Sequence, residues 1–139
     1  MEVYRHDYQY AVERGETKKY IDSLQESLMC RRSIETAINI GYRDNRLDLS
    51  GVKDVIARFG SERVSFVLAE TARAFSHDGR VSPEAKLWSK TVPGSDDPNI
   101  SREMIIQKCH IGLVNLFTKA VMKESAEKQK KPPRHELER

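Results

Sequence analysis

The chain has 139 residues, 32% of them charged and 38% hydrophobic, with a formal net charge of +3. That length suits one domain around one core, and no apolar run approaches the ~20 residues that a membrane-crossing helix needs. Residues 123–139 hold +2 of the charge, so the rest is nearly neutral and composition does not mark it as a nucleic-acid binder.

In chain order, residues 3–14 read as a short helix with Val3, Tyr4, Tyr8, Ala11 and Val12 on one side, ended by Gly15. Residues 17–42 read as a long helix: Ile21, Leu24, Leu28, Ile34, Ala37 and Ile38 recur at spacings of three and four, with a gap at Arg31-Arg32. Gly41 closes it and the polar YRDNR follows as a loop. Its stripe is broad enough to leave a face for a second copy. Ser50 then reads as the cap of a helix whose Val52, Val55, Ile56 and Phe59 share one face. Gly60 suits a left-handed helix end. Ser61 opens the next helix, with Val64, Val67, Leu68, Thr71 and Ala74 on one stripe. Two helices joined through Phe59-Gly60-Ser61 make an angular corner.

Asp78-Gly79 reads as a turn. Ser82 caps a further helix, Pro83 takes its first position, and Glu84 faces the positive end of the helix dipole. Ala85, Leu87 and Trp88 supply the buried side. Burial of the indole would hold this short helix, whereas an exposed ring would make the corner a partner's hot spot. TVPGSDDPNIS reads as a loop. REMIIQK, residues 102–108, fits either a helical turn or a short strand, which leaves a small hairpin at 102–107 open. His110 caps a last helix over 110–127, with Leu113, Leu116, Phe117, Ala120 and Val121 inward. The expected fold is all-α: a single compact domain of five to six helices over residues 1–127, with a disordered basic tail at 128–139.

Catalytic chemistry finds little support. His6, His77, His110, His135, Cys30 and Cys109 show no CxxC or HxxxH spacing, so no metal is expected. Around Asp78, Gly79 and Glu84, Arg80 and Val81 stand where a calcium loop needs oxygens. Ser76-His77-Asp78 are sequential, whereas a triad is spatial. No phosphate-cradling glycine loop occurs, and the carboxylate pairs Asp96-Asp97 and Glu124/Glu127 fall in solvated stretches. The expectation is no enzyme and no cofactor. Two isolated cysteines read as reduced thiols, and MEVYRHDYQY lacks the apolar run of a signal peptide, which together favour the cytoplasm. The corner at 50–75 has a helix–turn–helix flavour, but Glu62 and Glu70 on the second helix are ill-suited to a DNA groove.

Several segments together resemble a small domain family encoded on conjugative elements and phages of Firmicutes and related gut bacteria. Its pattern is FG-x-ERV-x-x-VLA, DGR-x-S, W-x-K-T-x-P and GLV-x-LF, here Phe59–Ala69, Asp78–Ser82, Trp88–Pro93 and Gly112–Phe117. The likeness spans roughly residues 5–122. It implies a gene carried by mobile elements and transfers no catalytic or binding residue. Small mobile-element proteins often neutralise host defences, including CRISPR–Cas and restriction systems, by binding them.

The expected function is therefore a stoichiometric protein-binding inhibitor of a host defence system, whose partner is a host or phage protein such as a CRISPR–Cas effector. The expected contacts are Arg80, Lys86, Trp88, Lys90, Asp96 and Asp97 near the tryptophan corner, with Arg31 and Arg32, acting mainly through charge complementarity. The alternative is a DNA-binding accessory protein of a conjugative element, with Arg31, Arg32, Arg63 and Arg73 on phosphates and an affinity that falls steeply with salt.

Overall fold

The computed structural model describes the backbone of residues 2–130 and the side chains of residues 2–126. Among these the fold is all-α, with seven helices and one two-stranded hairpin: α1 (Tyr8–Arg14), α2 (Thr17–Gly41), β1 (Tyr42–Arg43), β2 (Arg46–Leu47), α3 (Gly51–Phe59), α4 (Ser61–Ala74), α5 (Pro83–Thr91), α6 (Pro98–Glu103) and α7 (Ile111–Lys130). No described helix is long and apolar enough to cross a membrane.

Helix α4 is the centre of the molecule. It packs against α2, α3, α5 and α7, while α1 lies on α2. Nine of its residues are buried: Arg63, Val64 and Phe66–Ala72 without a break. Around it the core gathers Ile34 and Ile38 of α2, Val52 and Val55 of α3, Ala85 of α5, and Val114, Phe117 and Val121 of α7. A helix buried nearly all round cannot be read from one stripe, which is why Arg63 and Glu70 look like surface residues in the sequence.

Local signals set most helix ends. Gly15 ends α1 at φ +68°, and Gly60, at φ +87°, sends its N–H back to the Ile56 carbonyl. The Ser82 hydroxyl accepts from the Ala85 amide at 3.2 Å with Pro83 behind it, as expected. His110 caps α7: its carbonyl accepts from Leu113 N, and its Nδ1 accepts from Gly112 N at 3.1 Å.

Five expectations need correction. Helix α1 begins at Tyr8, because the Asp7 carboxylate caps it from the Tyr10 amide. Residues 2–6 lie outside any helix instead, with Tyr4 N donating to Ser23 Oγ at 2.8 Å. Ser50 does not cap α3 through its hydroxyl; its own amide donates to Asp48 Oδ1 at 2.9 Å. The hairpin lies not at 102–107 but at Tyr42–Leu47, where Asp44 and Asn45 take φ of 53° and 63°, the paired left-handed turn that a two-residue hairpin requires. Met104 and Ile106 instead run through the core as coil, and the buried Ile106 amide donates to Thr71 Oγ1 at 3.0 Å. The stretch DDPNIS, read as loop, contains α6, started by Asp97 and Pro98. Helix α7 continues to Lys130, three residues into the expected tail, and residues 131–139 lie outside the described ones.

Several inward assignments also change. Tyr8, Val12, Ile21, Leu87 and Leu116 are exposed. On α2 the buried row is Ser23, Ser27, Cys30, Ile34 and Ile38, with polar residues in its first half. Those serines face the buried Arg63, whose Nη1 donates to Ser23 O at 2.9 Å and to Ser27 Oγ at 2.5 Å, while Nη2 donates to Glu2 O at 3.1 Å.

Candidate functional site

The expected contact residues do not converge on one surface. Arg31 and Arg32 part company. The Arg31 guanidinium turns inward, donating to the Glu103 carbonyl and lying 3.9 Å from Glu35, whereas Arg32 is exposed. Arg80 closes on its own neighbour, with Nη2 donating to Asp78 Oδ2 at 2.7 Å and Nε to Oδ1 at 3.0 Å. That fork and the Arg80 amide pull the Asp78 carboxyl down to about 2. Lys86 and Lys90 border a small hollow of about 190 Å³. Asp96 faces His6 at 3.5 Å. Trp88 is half-buried and packs against the core, with its neighbour Leu87 67% exposed. The indole therefore anchors α5, as the core reading of the corner has it, and leaves part of its ring at the surface.

Asp97 is only 4% exposed and is a structural residue rather than a surface contact. Its Oδ1 accepts from Asn99 N at 2.9 Å, starting α6, and its Oδ2 accepts from the Tyr20 hydroxyl at 2.7 Å. Burial opposes ionisation of Asp97, but the Tyr20 hydroxyl and the surrounding amides outweigh it and leave the carboxyl below its usual value. Burial, and then Asp97 itself, push Tyr20 up to about 12. Because the folded value is depressed, the stabilisation is complete above the ordinary carboxylate pKa and is lost as pH falls through the folded one. Stability should thus start to fall only as pH drops below the ordinary carboxylate value of about 4, and Asp97→Asn should flatten part of that drop. Parallel unfolding curves for the two proteins across this window would refute the assignment.

The thiols are poorly suited to nucleophilic work. Burial raises Cys30 to about 12 and Cys109 to about 11, far above the range of reactive cysteines. The two phosphate contacts expected on α4 are also committed internally. Arg63 is buried, and Arg73 pairs with Glu70 at 3.1 Å while donating to the Ser89 and Val92 carbonyls.

A groove of about 740 Å³ lies where the C-terminal half of α2, the hairpin and the start of α3 meet. Two glycines build it. Gly51 brings α3 onto α2 so closely that a Cβ there would stand 3.1 Å from Ala37 Cβ. At Gly41 a Cβ would meet the Asp48 carbonyl oxygen at 2.7 Å, and the Asp48 amide returns a hydrogen bond to the Gly41 carbonyl. The walls carry Arg32, Arg43 and Arg58 with Asp48 and Asp54. Ile40, in the groove wall, is 63% exposed, and Tyr42 and Leu49 beside it on the chain are 43% and 39% exposed. Arg43 faces Arg46 directly across the hairpin, so both side chains leave the same face. Of these residues, the sequence had pointed only to Arg32. An exposed apolar residue at each junction around YRDNR was the available signal, and it is weak because single exposed apolar residues are common.

A family model described as a protein of unknown function, DUF3849, matches residues 3–126. The chain belongs to this family. That match takes in every described helix except the end of α7, and it includes the groove and the tryptophan corner. Neither the curated proteins nor the solved structures yield a match.

Proposed function

We propose that this DUF3849 protein is a stoichiometric protein-binding module whose binding face is the groove between α2, the hairpin and α3. The observation that carries the reading is the exposed Ile40 in the groove wall beside Arg32, Arg43 and Arg58, which make no ion pair among the described residues, with Tyr42 and Leu49 exposed nearby along the chain. Aromatic and arginine side chains around an apolar centre are the usual composition of a protein interface. The resemblance to a family of conjugative elements and phages supports a finer reading: an inhibitor that binds a host defence nuclease, a CRISPR–Cas effector among them, in the cytoplasm.

Affinity purification from a native host, followed by size-exclusion chromatography and mass spectrometry, tests this. The expected result is a complex of fixed stoichiometry with a host or phage protein, lost for Ile40→Asp. Elution of the wild-type protein alone overturns the reading. Duplex DNA bound at low salt and released steeply as salt rises would replace it with the DNA-binding alternative.

A further inference from the structure

We infer that the partner enters the groove with an acidic amphipathic segment, its carboxylates meeting the arginines and its apolar side chains meeting Ile40 and its neighbours. This rests on the protein-binding reading of the groove given above.

Charge is the first argument. Of the eleven described arginines, Arg5 pairs with Glu62, Arg31 with Glu35, Arg73 with Glu70 and Arg80 with Asp78, Arg63 is buried, Arg102 donates to Asn99 Oδ1, and Arg14 lies over the Tyr10 ring. The side chains of Arg32, Arg43 and Arg46 make no hydrogen bond or ion pair among the described residues, and that of Arg58 only lies over the Phe59 ring at 5.0 Å. Arg32, Arg43 and Arg58 line one groove, and Arg46 faces Arg43 across the hairpin.

Placement is the second. Arg43 and Arg46 are direct cross-strand partners in a ribbon only two residues long on each side. Like charges in that position repel and weaken the pairing. The fold keeps them together with no internal anion between them. A carboxylate set down on that face would relieve the repulsion and, with a guanidinium, form a two-pronged hydrogen-bonded pair.

The acidic residues of the same region, Asp44, Asp48 and Asp54, are outnumbered by the four arginines, and each has a local task. Asp44 occupies the left-handed turn. Asp48 accepts from the Ser50 backbone amide and side chain, which hold its carboxyl below the usual value. Asp54 sits in the first turn of α3, where it complements the helix dipole. The exposed Ile40 in the groove wall argues against a nucleic-acid backbone as the occupant, since it offers nothing to phosphates. A polypeptide carrying both carboxylates and apolar side chains satisfies both sets.

The test uses fluorescence anisotropy with a labelled synthetic amphipathic peptide, glutamate on one face and leucine on the other. The controls are the same peptide with lysine for glutamate, and a DNA duplex. Saturable binding of the glutamate peptide is expected, with affinity at least about tenfold lower for the Arg43→Glu/Arg46→Glu variant. Arg102→Glu, at an exposed position on α6, should leave binding unchanged. The neutral Arg43→Gln/Arg46→Gln variant should fall between wild type and the charge reversal, which separates lost attraction from lost folding. Equal binding by wild type and charge reversal overturns the proposal. So does preference for the lysine peptide or for the duplex, and so does a dimer of this chain that Ile40→Asp dissolves. If a stoichiometric host complex survives these arginine substitutions, the acidic-segment inference fails while the protein-binding reading stands.

Discussion

Arg63→Ala should lower the free energy of unfolding by about 3–5 kcal/mol, a large part of the stability of a domain this size. Arg63 is 2% exposed, and its guanidinium joins α4 to α2 and to the segment ahead of α1. It donates to Ser23 O, Ser23 Oγ, Ser27 Oγ and Glu2 O. Truncation leaves buried acceptors that no side chain replaces, and a cavity the length of an arginine. Each buried orphan costs about 1–3 kcal/mol. The wild type in turn bears the cost of burying a charge, seen in the lowering of the Arg63 pKa by burial. Arg63→Met, which refills the space without the charge, should therefore be milder than Arg63→Ala. Urea unfolding of the two variants checks both statements. A midpoint for Arg63→Ala at the wild-type value would mean that water satisfies the serines and that the residue is not an internal clamp.

Glu70→Ala should cost about 2–4 kcal/mol and should loosen one region first. The carboxylate is 7% exposed. Its Oε2 accepts from Ser101 Oγ at 2.9 Å and from the Ser95 amide at 3.3 Å, and its Oε1 faces Arg73 at 3.1 Å. Arg73 passes the connection on to the Ser89 and Val92 carbonyls at the end of α5. Glu70 and Arg73 together hold the chain between α5 and α6 against α4, so closely that a Cβ on Gly94 would stand 3.1 Å from Arg73 Nη2. Amide hydrogen exchange should rise at residues 94–101 before the remainder of the molecule responds. Uniformly faster exchange would show that Glu70 supports the core as a whole. Glu70→Ala and Arg73→Ala combined should cost less than the sum of the two, because they share one network.

The corner that holds Trp88 was legible in the sequence because its devices are local. Ser82, Pro83, Gly60 and His110 act on amides or backbone angles within a few residues of themselves, so spacing alone locates them. The same holds for the alternation of apolar residues on α3 and most of α7. The groove was not legible. It depends on Gly41 and Gly51 letting α2, the hairpin and α3 approach, and neither glycine announces which backbone it will meet.

What the sequence determined by itself is the all-α class and the ends of most helices, since hydrophobic period and capping are short-range. What only the tertiary structure decided is the fate of the polar residues. Arg63 meets Ser23 across 40 positions, and Tyr20 meets Asp97 across 77. In the sequence Arg63, Glu70 and Asp97 look like solvated surface charges, and Arg43, Arg46 and Arg58 carry no sign of a groove. Burial is set by whichever elements happen to pack over a residue, and a charged side chain can be buried wherever distant partners supply its hydrogen bonds. Those partners come together only when the helices dock, so the division between internal clamps and free arginines exists in the folded molecule alone.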